Sequence, residues 1–158
     1  MTQHTQRFYL DTSVFGGYFE PEFEQHTKLL FGRIMKGEIR LLYSQMTEIE
    51  LSKSPEHVQK LIKSIPESHI EFLSITDEAR DLAKQYIAEK VVGKTSDADC
   101  LHIAIATISN ADILASWNFK HIVNINRIRG YNGINLKNGY KILEIRTPRE
   151  IIIYEEEK

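Results

Sequence analysis

Phe8-Tyr9-Leu10-Asp11-Thr12-Ser13-Val14-Phe15-Gly16-Gly17 (residues 8–17, FYLDTSVFGG) is a short apolar run that stops on a carboxylate followed by two small hydroxyl side chains. Consecutive apolar residues suit a strand buried on both faces, as in the middle of a parallel sheet. A surface turn, or Asp11 capping the helix that follows, accounts for the break locally. The alternative places Asp11 at the carboxyl end of a central strand, where open α/β sheets carry their ligand sites.

Outward from this stretch, strand-like and helix-like segments alternate. A strand is predicted over residues 7–10 and a helix over 22–36, where Phe23, Leu29, Leu30, Phe31, Ile34 and Met35 recur at helical spacing before Gly37. Ile39 to Tyr43 reads as a second buried strand, 45–53 as a short helix, and Pro55 opens another that carries Val58, Leu61, Ile62 and Ile65 inward. A strand over 70–75 and a helix over 77–91, capped by Thr76, come next. The helix over 97–110 has almost no polar face, with Leu101, Ile103, Ala104, Ile105, Ala106 and Ile108 predicting burial on most sides. After it come a short strand over 113–115, the segment SWNFKHI, a Gly/Asn-rich stretch over 130–139, a strand near 142–145 and a helix opened by Pro148. This alternation predicts an α/β fold: three α/β/α layers around a mostly parallel sheet of 4–5 strands, as one domain over 1–158 with a core of about 6–146. The tail EEEK reads as frayed.

Length and composition agree. A chain of 158 residues buries roughly two-thirds of its unfolded surface as a single domain. With 42% hydrophobic and 27% charged residues it is neither disordered nor membrane-like in make-up. A net charge of −2 from 20 basic and 22 acidic residues provides no global basic footprint, so nucleic acid would have to be held by a local patch. Lys53, Lys94, Lys120, Arg127 and Arg129 are candidates for such a rim, although side chains of this kind are usually just solvated. Cys100 is the lone cysteine, which excludes an internal disulfide and suits a reducing compartment. The first residues lack the apolar core of a signal peptide, and no run reaches the roughly 18 apolar residues of a membrane span. The expectation is a cytoplasmic protein with no membrane association.

Four positions stand out against the remaining acidic and amide residues. Asp11 ends the first strand, Glu50 lies in the helix after the second, Asp99 sits in the first turn of the apolar helix, and Asn118 follows the strand at 113–115. In a parallel sheet, residues just past strand ends and in the next helical turns share one rim. Three carboxylates converging there raise each other's pKa unless a positive charge lies among them. Mg²⁺ or Mn²⁺ is the matching cation, since hard ions take carboxylate and amide oxygens, and the six histidines and one cysteine show no zinc-like spacing.

Each position also has an ordinary structural role open to it. Asp11 suits a helix cap. Glu50 competes with Glu48, about 200° away around the helix, so at most one of them faces the rim. Asp97 and Asp99 suit a helix N-terminus, with Ser96 as cap and Asp99 completing a capping-box-like pair. Asn118 suits a cap of the NFKHI turn. His102 shares the helical face of Asp99, either as a satisfied core histidine or as a supporting or substrate group, and Trp117 suits packing.

In combination, FYLDTSVF, SQMTEIEL, SDADCLHIAIA and ILASWNFKHI resemble, in order, the motifs of the PIN-domain nucleases, especially the VapC-type toxin ribonucleases. The resemblance implies that Asp11, Glu50 and Asp99 are metal ligands, with Glu50 favoured over Glu48 by the pattern Ser44, Thr47, Glu50, Leu51. Asn118 occupies a fourth position where many relatives have Asp, with Asp97 nearby as a supplementary acid. Ser13, Ser116 and Asn118 would position water or phosphate. The implied activity is metal-dependent endonucleolytic hydrolysis of RNA by a toxin held in check by a cognate antitoxin. The segment from Val123 to Tyr140 departs from a minimal toxin of this type and is expected to serve as a subgroup-specific contact or homodimer surface. Such chemistry needs no nucleophilic side chain. A non-cleaving PIN domain that binds RNA or protein, and a phosphohydrolase of small esters, are the competing readings.

Overall fold

The computed structural model describes residues 4–91 and 97–156. Its centre is a five-stranded, wholly parallel sheet made of β1 (Gln6–Leu10), β2 (Ile39–Ser44), β3 (Ile70–Leu73), β4 (Ile113–Ala115) and β5 (Ile145–Arg146) in the order β3-β2-β1-β4-β5. The strand order reverses between β1 and β4, which register as Phe8 with Ile113 and Leu10 with Ala115. That reversal opens a crevice at the carboxyl ends of these two strands.

Phe8, Tyr9 and Leu10 are fully buried, as a strand sandwiched between helical layers requires. Their side chains alternate between two cores. Tyr9, with Leu42, Leu114 and Ile145, packs under α5 (Asp77–Ala88), α6 (Asp97–Ile108) and α7 (Ile125–Lys137). Phe8 and Leu10 join Leu41 and Tyr43 on the other face, covered by α1 (Thr12–Gly17), α2 (Glu24–Met35), α4 (Glu56–Lys63) and α8 (Pro148–Glu156). The expected three-layer α/β/α architecture is therefore present.

Local signals place most boundaries. Thr76 caps α5 by accepting the Ala79 N–H at 3.1 Å, as its sequence position predicts. Gly37, at φ +78°, turns the chain out of α2, and Lys90, at φ +61°, terminates the turn beyond α5 before Val91. A short helix, α3 (Gln45–Leu51), follows β2 and is capped by Ser44, which accepts the Thr47 N–H at 3.0 Å. β3 spans 70–73 rather than 70–75, after a 3₁₀ turn at Glu67–His69, and β5 lies at 145–146 rather than near 142–145.

The Gly/Asn-rich stretch is the main departure from the sequence reading. Residues 125–137 form α7, capped by Asn124, whose Oδ1 accepts the N–H groups of Asn126 and Arg127 at 3.1 and 3.2 Å. Tertiary packing overrides its weak helix propensity. Tyr131, Ile134 and Asn135 are buried, and the Asn135 amide accepts from the Tyr86 hydroxyl and donates to Thr107 Oγ1 at 3.2 Å. Gly130 lets the helix approach Val91, since a Cβ there would come within 2.7 Å of Val91 Cγ1. The expected contact surface at 123–140 thus carries a face that closes the protein's own core.

Candidate active site

Asp11 leaves β1 at the crevice and is only 3% exposed. It occupies the capping position of α1, yet its side chain makes no capping hydrogen bond, and the Val14 N–H reaches the Asp11 backbone carbonyl instead at 3.2 Å. The carboxylate accepts from Ser13 Oγ and from Ser116 Oγ, each at 2.6 Å. Ser116 lies just past β4, so one carboxylate ties both strands of the switch point together. Burial raises the Asp11 pKa, opposed by the charge of His102 and by the hydroxyls of Ser116 and Ser13.

Glu50 projects from the last turn of α3, partly buried, while Glu48 is exposed in the first turn. The structure therefore turns Glu50, of the two, toward the crevice. Glu50 Oε1 accepts from Thr12 Oγ1 at 2.6 Å and from His102 Nε2. Burial pushes its pKa up, but the hydrogen bond and charge of His102, the Thr12 hydroxyl and Lys53 outweigh this, and the net shift is downward.

His102 is 2% exposed. Its Nε2 serves Glu50, and its Nδ1 lies 2.6 Å from the Tyr9 hydroxyl, itself 2.7 Å from Ser44 Oγ. With Glu50 ionised, Nε2 carries the proton of that hydrogen bond, and Nδ1 pairs with the Tyr9 hydroxyl, which burial keeps protonated. A buried chain thus runs from the α3 cap through Tyr9 and His102 to Glu50. It fixes the Glu50 carboxylate from behind. Tyr9 has no sequence motif to announce its role; the one sign is a hydroxyl on the middle residue of an apolar strand.

Asp99 lies in the first turn of α6, partly buried. Burial raises its pKa, against the lowering effects of His121, His102 and the Asn118 amide, while Glu50 adds to the rise. Asn118 Nδ2 donates to Asp99 Oδ1 at 3.2 Å, Asn118 Oδ1 accepts the His121 N–H at 3.0 Å, and the Asn118 N–H donates to Ser116 Oγ at 2.9 Å. The side chain therefore does two things: it caps the turn after β4 and presents an amino group, rather than its oxygen, to Asp99. His121 is a neighbour of Asp99 that the sequence reading omitted, and no spacing signals it.

Asp97 is exposed at the start of α6 and takes no part in these contacts. Trp117 is packing, as expected: it stacks on Phe23 at 4.5 Å between ring centroids, and its indole N–H donates to Thr27 Oγ1 at 2.9 Å. Arg127 is tied to the Val91 carbonyl. Of the other rim cations, Lys53 acts on Glu50, Lys120 and Arg129 are exposed, and Lys94, like the Ser96 cap, lies outside the described residues.

Among the described residues, no three His, Cys, Asp or Glu side chains are arranged to hold a metal ion. Each site acid instead takes uncharged or imidazole donors: serines on Asp11, Thr12 and His102 on Glu50, Asn118 on Asp99. The donor chemistry nevertheless fits a hard divalent cation, because the acids offer only oxygen and burial holds two of them at raised pKa. A larger cavity, about 490 Å³, opens by Gln6, Ile113 and Glu144 at the amino-terminal ends of the strands. It lies away from this acidic centre.

An acidic centre at the switch point of a parallel 3-2-1-4-5 sheet defines the class of protein. The PIN domain model matches residues 8–120, more than two-thirds of the chain, and the protein belongs to the PIN domain family, a family of nucleases. Solved structures of the same fold include VapBC2 from Rickettsia felis bound to a promoter DNA fragment, 16% identical over 90% of this chain and 98% of that chain, with a TM-score of 0.55. DNA-bound VapBC from Salmonella typhimurium is 17% identical over 90% and 98%, with a TM-score of 0.54. A complex from Neisseria gonorrhoeae, FitAcB, is 13% identical over 89% and 97%, with a TM-score of 0.57. No curated protein matches the sequence.

Proposed function

We propose that this protein is a Mg²⁺- or Mn²⁺-dependent endoribonuclease that acts in the cytoplasm as the toxin of a toxin–antitoxin pair. The observation that supports this is that His102 acts on Asp11, Glu50 and Asp99 alike, so that one buried ring neighbours acids supplied by a strand end and two separate helices. The fold shared with the VapBC and FitAB assemblies supports a protein antitoxin as partner.

Asp11, Glu50 and Asp99 would hold the cation, which supplies Lewis acidity toward water and a phosphate oxygen. The chain's own residues set the stage for it. Ser13 and Ser116 hold the Asp11 carboxylate from both sides of the switch point. His102 and Thr12 fix Glu50 and favour its ionised form, so that a carboxylate oxygen is available to orient or deprotonate water. Asn118 aims one Asp99 oxygen while holding the turn after β4.

A second reading, a PIN domain that binds RNA without cleaving it, is favoured by the amino group that Asn118 turns toward Asp99. Incubating the full chain with structured RNA and single-stranded DNA in Mg²⁺, Mn²⁺ or EDTA separates the two. Metal-dependent RNA cleavage, lost in Asp11→Asn and Asp99→Asn, supports the nuclease. Identical trace cleavage by all three proteins would leave only the binding role.

A further inference from the structure

A cavity of about 350 Å³ adjoins the acidic centre, between α1 and α4, and shares two residues with it. Thr12 and Ser13, the donors to Glu50 and Asp11, form one wall. Phe19 and His57 form another, their rings edge to face with centroids 4.8 Å apart, and Phe19 is 38% exposed. Gly16 leaves the floor open: a Cβ there would meet Glu20 Oε1 at 3.6 Å, which places that carboxylate oxygen at the cavity edge. Ser54 adds a hydroxyl.

We propose that this cavity takes one unpaired nucleobase of a single-stranded RNA, next to the phosphate at the acidic centre. The inference rests on the ribonuclease reading above and adds the place where a base is read. A base in a duplex keeps its faces stacked and could not enter. Single-stranded nucleic acid is held by aromatic platforms beside its backbone path, and Phe19 supplies such a platform at the wall of the site. His57 sets a second ring beside it. The Glu20 carboxylate accepts hydrogen bonds only, so it ranks bases by the N–H donors they present, and uracil, with N3–H alone, presents the fewest.

The test uses the full chain, Ca²⁺ and a short single-stranded RNA carrying one 2-aminopurine, whose fluorescence falls when the base stacks. Quenching by the wild type is expected. Phe19→Ala and Gly16→Leu, the latter filling the cavity, should weaken binding by roughly tenfold, the scale of one base stack. Phe19→Tyr should restore it, and Phe19→Leu should not. With Mg²⁺ or Mn²⁺, KM should rise in Phe19→Ala while kcat holds, and uracil should be depleted at one position beside the cut, relaxed by Glu20→Gln. Unchanged melting and Trp117 emission exclude misfolding, and Phe19→Ala alone decides if Gly16→Leu does not fold. Quenching without cleavage would sink the ribonuclease reading and keep the cavity. Cleavage with unaltered KM in Phe19→Ala, or no quenching by the wild type, would overturn the cavity assignment.

Discussion

Asp11 is a buried carboxylate that accepts from the neutral hydroxyls of Ser13 and Ser116, and its ionised form opposes folding when no cation is bound. A raised folded-state pKa means that stability is greatest when the group is protonated and declines as pH rises through that pKa. Asp11→Asn should therefore melt above the wild type at pH 7 in EDTA, with the gap closing toward pH 4, while activity disappears. Differential scanning calorimetry across that range checks it. His102 makes the opposite kind of contribution. His102→Ala deletes a buried ring from between Tyr9 and Glu50, and the loss should cost about 2–3 kcal/mol, or roughly 4–12 °C in Tm for a chain of this size. Its kcat should fall more than its KM changes, because Glu50 loses its direction rather than the substrate its contacts.

At the scale of elements, α1 and the turn after β4 are locked against each other at Gly17, where a Cβ would come within 2.7 Å of Trp117 Cδ1. Gly17→Ala should cost about 1–3 kcal/mol as an overpacking change. Since Trp117 is the lone tryptophan, its emission should shift in the same variant, which separates a local displacement from global loss of structure. A second device sits at the other end of the sheet, where Arg7 of β1 donates from Nε and Nη2 to both oxygens of Glu71 in β3, at 3.2 and 2.8 Å. The hydrogen bond and charge of Arg7 and the charge of Arg40 hold the Glu71 pKa down against partial burial. Its stabilising effect is present above the usual carboxylate range and disappears as pH falls through the lowered pKa. Glu71→Gln should be less stable than wild type at pH 7 and equal to it near pH 3, by less than about 1 kcal/mol at this half-exposed position.

For the molecule as a whole, the layer order was legible, as were the places of Asp11 just past β1 and of Asp99 in the first turn of α6, because apolar runs and element ends follow directly from a parallel sheet. Phe8 to Leu10 announced a central strand, and Thr76 announced a helix start. Segment 125–137 was not legible, since its helix depends on Tyr131 and Asn135 finding partners on α5 and α6, far away in sequence. Similarly, Asp99 and Asn118 could be placed on one rim, but which atom of the amide faces the acid depends on the His121 N–H that takes its oxygen. The proposed sharing of one divalent cation by acids from three elements is measured by titrating Mn²⁺ into the full chain in a calorimeter. Binding should be saturable, lost in Asp11→Asn and Asp99→Asn, weakened in Glu50→Gln and retained in Glu48→Gln. Equal binding by wild type and Asp11→Asn would contradict it.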